Sequence, residues 1–165
     1  MSTRQFPQLI VGVDRSPGGR AALRVAAAEA IRRGVPLHAV HVRSFLLGPV
    51  DDFRHIDSAF EETFGGVPEG LDLRRAVLDT PTVQGLTDRA DHPGDLLVLG
   101  SCRRGLPSMW WHRIWSRSTV QGCLRRARCP VLVVSGDGPR SEGAAGRRFA
   151  AWMQGIGESF ERSGP

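Results

Sequence analysis

The residues able to act as nucleophiles, bases or metal ligands are few and scattered. Cys102, Cys123 and Cys129 have no CxxC spacing, so neither a zinc site nor a disulfide framework follows. Cys102 precedes Arg103 and Arg104, a setting that lowers a thiol pKa and suits a redox-sensitive thiolate. A lone cysteine is more often inert, and Cys123 and Cys129 read as packing residues. His38, His41, His55, His92 and His112 show no HExxH-type pairing. No Ser-His-Asp or Cys-His arrangement is legible. Every one of the 22 basic residues is Arg, which removes amine and Schiff-base chemistry. Asp51-Asp52 and Glu61-Glu62 read as helix starts or solvated faces. A catalytic role is not expected, with slow nucleotide hydrolysis left open.

Binding chemistry is better supplied. Asp14 closes an apolar run, where a carboxylate can accept from a sugar or base. It can equally organise a strand-to-helix turn, and both readings stand. Between Asp95 and Asp137 there is no acidic residue, while Arg103, Arg104, Arg113, Arg117, Arg125, Arg126 and Arg128 interleave with Trp110, Trp111 and Trp115. Arginines among aromatics can hold single-stranded nucleic acid by charge and stacking. The same residues suit packing or a subunit interface. No RNA-binding motif accompanies them, so packing is the expectation, and nucleic acid is not the expected partner. No lipidation motif supports membrane contact either.

These residues need a scaffold. A chain of 165 residues, 41% hydrophobic and 24% charged, is one domain with a sizeable core. No apolar run approaches the ~18 residues of a membrane span. The N-terminus has no apolar signal region, so the expected location is the cytoplasm. Leu9–Val13 reads as a buried strand. Ser16 caps the next helix with Pro17 at its first position, and Gly34 closes it. Val35–Val42 is a second strand. Phe53, Ile56, Phe60 and Phe64 share one helical face, which Gly65-Gly66 ends. Leu71–Leu78 is a third strand, polar enough at Arg74 and Arg75 for a sheet edge. Thr80-Pro81 starts a helix with Val83, Leu86 and Ala90 inward. Leu96–Leu99 is a fourth strand, opened by Asp95 and ending at Gly100-Ser101. Ser118 to Gln121 fits a capping box, with Val120, Cys123, Leu124 and Ala127 as the inward stripe. Cys129–Val134 is a fifth strand. This βαβαβαβαβ order predicts an α/β fold: a doubly wound, Rossmann-like parallel sheet of five strands sandwiched by helices.

Two segments carry a family likeness. Ile10-Val-Gly-Val-Asp14-Arg-Ser16-Pro, followed by an Ala-rich helix, resembles the opening of the universal stress protein family. Asp95-Leu-Leu-Val-Leu-Gly100-Ser101, followed by a helix and Cys129-Pro-Val-Leu-Val-Val134, resembles its closing half. The resemblance spans roughly residues 7 to 135 and implies a homodimer of adenine nucleotide alpha hydrolase-like domains. It also implies a regulator of stress survival, in a family where many members bind ATP and many do not.

Carried onto this sequence, the resemblance places Gly12, Val13, Asp14 and Val42 around an adenosine, and Leu99, Gly100, Arg103, Arg117, Ser118 and Thr119 toward its phosphates. ATP-binding members resemble G-x-x-G, nine residues, then G-[ST]. Here Gly100 fits, Arg103 and Arg117 replace the second and third glycines, and about four residues are inserted. The expectation is a degenerate nucleotide pocket with no tightly bound cofactor. One alternative is an ATP site in which Arg103 and Arg117 hold phosphate bidentately. The other is a nucleic-acid-associated stress protein acting through the basic insert.

Two segments depart from the family pattern. Pro107 followed by Ser108–Arg117, without Gly or Pro, predicts a short helix with Trp111, Ile114 and Trp115 on one face. The unit 1–135 is followed by 136–165, a Gly/Ser/Pro-rich linker and then an amphipathic stripe, Phe149, Trp152, Met153, Ile156 and Phe160. That stripe predicts a C-terminal helix docked on its own subunit or on a mate.

Overall fold

A computed structural model describes residues 7–14, 16–42, 53–101 and 119–136. Five parallel strands, β1 (Leu9–Gly12), β2 (Leu37–Val42), β3 (Leu73–Leu78), β4 (Leu96–Ser101) and β5 (Val131–Ser135), form one sheet in the order β3-β2-β1-β4-β5. The helices α1 (Pro17–Arg33), α2 (Arg54–Phe64), α3 (Thr82–Arg89) and α4 (119–126) lie between them in sequence.

Both faces of the sheet are covered, as near-continuous apolar strands require. On one face Leu9, Val11, Leu37, Ala39, Val98 and Val134 pack against α1 and α2. On the other, Ile10, Val40, Leu97 and Leu99 pack against Leu86 of α3 and Cys123 of α4. Burial pushes the Cys123 thiol up to about 11, reinforced by Cys129 nearby, and raises Cys129 too. Both are free thiols held in the neutral form, which fits packing and not reactivity.

Helix α1 starts and stops where its sequence signals. The Ser16 hydroxyl accepts from the Gly19 N–H at 2.9 Å, Pro17 occupies the first turn, and Gly34 ends the helix at φ 63°. Near that end Glu29 is buried and accepts from Arg32 at 2.7 Å through each carboxylate oxygen, and from Arg33. The Arg32 hydrogen bonds lead in holding its carboxyl down at about 2, against the opposing effect of burial.

At the start of the sheet Asp95, 2% exposed, does more than open a strand. Its two oxygens accept from the Gln8 N–H at 3.1 Å and the His92 N–H at 3.2 Å. One side chain therefore ties the turn before β4 to the start of β1.

Two helical stripes are narrower than their spacing implies. In α2, Ile56, Ala59 and Phe60 are buried, whereas Phe53 and Phe64 are exposed. Phe53 is the N-cap residue and Phe64 the last residue, so both sit at the ends of the helix. In α4, Cys123 is buried but Leu124 is 54% exposed. Leu124 sits one residue past the centre of its stripe and falls on the margin of the helix. The predicted helix over 108–117 and the C-terminal stripe lie outside the described residues.

Candidate functional site

The chain runs outward from β1 through β2 to β3, then returns to place β4 and β5 on the other side of β1. The carboxyl ends of β1 and β4 therefore diverge into crossovers of opposite direction, leaving the crevice where doubly wound sheets hold ligands. Gly12, Val13 and Asp14 reach it from β1, Gly100 and Ser101 from β4, and Val42 stands at the end of β2, one strand away.

Asp14 is drawn into the β1–α1 turn. Its Oδ1 accepts from the Ser16 N–H at 2.9 Å and from the Ser16 hydroxyl at 2.5 Å, while the Ser16 Oγ in turn accepts from Gly19. The chain of bonds Gly19 to Ser16 to Asp14 fixes the first turn of α1. The turn-organising role of Asp14 is thus realised, and its carboxylate stays exposed at the mouth of the crevice.

The glycines around this crevice divide into two kinds. A Cβ on Gly100 would strike the backbone of Gly18 and come within 2.5 Å of the Gly19 nitrogen. One on Gly18 would meet the Ser101 carbonyl oxygen at 2.5 Å, and one on Gly136 the Pro17 carbonyl carbon at 2.5 Å. The first turn of α1 therefore rests backbone-to-backbone on the ends of β4 and β5. A glycine inside a helix costs about 1 kcal/mol relative to Ala, and here the close approach offsets it. Gly12 is different. A Cβ there would find Leu99 Cδ2 at 3.4 Å and Leu86 at 3.7 Å, ordinary contact distances. Gly12 has no positive φ either, so the fold tolerates a side chain there.

The remaining expected site residues fall into three groups. Val13 and Leu99 are buried, one in each core layer. Val42 is half-buried against the α3 layer, and Thr119 begins the described part of α4. Arg103, Arg117 and Ser118 lie outside the described residues.

Two features have no clear signal in the sequence. Gly18 and Gly136 are needed for the seat of α1 and Gly19 for the close approach of Asp14, and the only hint is a pair of glycines placed inside a helix start. His41 of β2 and His55 of α2 stack with ring centroids 4.7 Å apart and planes 22° apart. The His41 Nδ1 lies 3.2 Å from the Val13 carbonyl oxygen, so the pair adjoins the β1 side of the crevice. Residues 14 apart on different elements give no local signal. Among the described residues no group of His, Cys, Asp or Glu is placed to hold a metal ion.

Sheet order and capped turn define a doubly wound α/β protein with a crevice at its switch point. The family model described as the universal stress protein family matches residues 5–135, and the chain belongs to that family. Several solved structures share the fold. A universal stress protein in complex with cAMP aligns with TM-score 0.58 at 22% identity, over 79% of this chain and 97% of its own. One from Archaeoglobus fulgidus in complex with dAMP gives 0.54 at 19%, over 79% and 99%. The protein UspA from Lactobacillus plantarum gives 0.52 at 25%, over 80% and 99%. No protein among those of curated function matches. Among the described residues no helix is long and apolar enough to cross a membrane.

Proposed function

We propose that this chain is a cytoplasmic, homodimeric stress-response regulator that acts by binding and not by catalysis. Its nucleotide pocket is degenerate on the phosphate side. The observation that carries this reading is the use made of Gly100. It is the one glycine of the three-glycine phosphate pattern that the sequence keeps, and the packing of α1 demands it whether or not a phosphate is present. With Arg103 and Arg117 in the other two positions, no glycine of that pattern is left that a phosphate alone would explain. A backbone cradle of N–H groups is what a triphosphate needs.

The nucleoside side is better kept. Packing against Leu99 and Leu86 does not require a glycine at position 12, and Asp14 stands exposed at the crevice mouth. Two structures of the same fold hold cAMP and dAMP, ligands with one phosphate each. An adenine nucleotide with a single phosphate is therefore the ligand class the crevice suits.

Titration calorimetry with ATP, with and without Mg²⁺, tests the proposal. ATP should bind more weakly than roughly 100 μM. Micromolar ATP binding abolished by Asp14→Ala would overturn it. If Arg103→Ala and Arg117→Ala also weakened that binding, the arginine clamp would be the phosphate site.

A further inference from the structure

β1 and β2 part at the mouth of the crevice, and a histidine stands where they part. Their register runs from Leu9↔Leu37 to Gly12↔Val40, and the Val13 N–H still donates to the Val40 carbonyl oxygen at 2.8 Å. β2 continues past that point, held on its other side by β3 through His41↔Val77 and Val42↔Leu78. His41 is therefore anchored in a strand that β3 keeps in place, while β1 leaves the sheet for the Asp14 turn.

The His41 side chain lies on the α1–α2 face of the sheet, as Leu37 and Ala39 of the same strand do. There its ring stacks on His55 of α2, a contact that restrains its rotation. Nδ1 is 3.2 Å from the Val13 carbonyl oxygen. A carbonyl oxygen only accepts, so Nδ1 carries the hydrogen and donates. In a neutral imidazole this selects one tautomer of the two. The bond also acts on the next residue. In a trans peptide the C=O and the following N–H point in opposite directions. A Val13 carbonyl held toward β2 leaves the Asp14 N–H directed away from β2. Since β1 lies between β2 and β4, that direction is toward β4 and the crevice.

We infer that His41 is a positioning residue of the crevice: it holds the Val13–Asp14 peptide so that the Asp14 N–H serves as a donor to a bound ligand. The identity of that ligand rests on the mononucleotide reading above, with a ribose hydroxyl or an adenine ring nitrogen as the acceptor. His41 does not touch the ligand in this arrangement. It acts through the Val13 carbonyl, and His55 acts through His41 by keeping the ring in place.

Nitrogen NMR of the isotope-labelled full chain, without ligand, reads the tautomer directly. At about pH 8, above the ordinary imidazole range, the His41 ring should carry its hydrogen on Nδ1. Hydrogen on Nε2 alone would overturn the inference, whatever the protein binds. Titration with AMP, followed by calorimetry, reads the consequence. His41→Phe keeps a ring against His55 and removes the donor, so AMP affinity should fall about tenfold and the Asp14 amide signal should move. His41→Asn places an amide N–H where Nδ1 stands, without the ring, and should keep affinity within about threefold of the parent. Equal losses in the two variants, or no loss in His41→Phe, would overturn the inference. If His41→Phe fails to fold, the tautomer and His41→Asn decide, and a loss of about tenfold in His41→Asn would overturn it. If the parent binds no AMP, the mononucleotide reading fails by itself. The tautomer, with an Asp14 amide signal that moves in His41→Phe but not in His41→Asn, then still supports the positioning role, and an unmoved signal in both overturns it.

Discussion

Gly12 and Gly100 end adjacent strands, β1 and β4, and face the same crevice, yet they are glycines for different reasons. Gly100 is fixed by the fold, because the backbone of α1 lies where its Cβ would be. Gly12 has ordinary clearance to Leu86 and Leu99. A glycine that packing demands says nothing about a ligand. A glycine that packing does not demand calls for another reason, which the proposed nucleoside pocket supplies. The packing of α1 is therefore enough to explain Gly100 at β4, whereas Gly12 at β1 is not explained by packing.

The sharpest way to break this comparison is Gly100→Ala. The new methyl cannot be accommodated without lifting α1 from β4, and rigid backbone gives less than a side chain would. We expect a loss of about 3 kcal/mol or more, read as a fall of several degrees in Tm. A stability within about 0.5 kcal/mol of the parent would mean that α1 is loosely seated and that Gly100 is free to serve a phosphate.

Glu29→Gln sharpens the comparison by testing the other end of the same helix. The Glu29 carboxyl lies at about 2 in the folded chain against an ordinary value of 4.5. Its contribution is therefore complete above about pH 5 and is lost as pH falls toward 2. With Arg32 and Arg33 partly in solvent, which screens the pairs, we expect about 2 kcal/mol at pH 7. The gap between parent and variant should close in acid. Gly100→Ala should show no such pH dependence, so urea titrations at pH 7 and pH 3 separate the two ends of α1.

Asp14→Ala removes both bonds from Ser16 but leaves the Ser16 cap on Gly19. The expected cost is about 1 kcal/mol. Adenine mononucleotide binding, followed by calorimetry, should fall with it. An unchanged affinity would confine Asp14 to the turn.

Gly12→Ala is the smallest in stability. The methyl meets side chains at ordinary distances, so the unfolding free energy from denaturant titration should change by under about 0.5 kcal/mol. If the proposed pocket uses the Gly12 backbone, mononucleotide affinity should nevertheless fall by about tenfold or more. A large destabilisation with unchanged binding would erase the distinction between the two strands.

Much of the fold is legible in the sequence alone. Apolar runs at Leu9, Leu37, Leu96 and Val131 mark buried parallel strands, and Ser16-Pro17 and Gly34 bracket α1 by backbone chemistry alone. Arg74 and Arg75 announce an edge. The division between Gly12 and Gly100 is not legible there, because it depends on which backbone lies opposite, a neighbour 82 positions away in the case of Gly18. The Asp95 clamp on Gln8 and the stack of His41 on His55 are tertiary for the same reason. The exposure of Leu124 escapes the pattern because a period of 3.6 marks a helix face but not its margins.

The seat of α1 also sets a schedule. The helix and its capping turn are synthesised early, within the first 33 residues, but the surfaces that receive its first turn are Gly100, Ser101 and Gly136. Strands β1 to β3 can align while the chain is still growing, and α1 can coil, yet its amino end has nothing to rest on until β4 and β5 have left the ribosome. Closure of the sheet joins the first helix to the last described strand, the kind of long-range contact that slows folding.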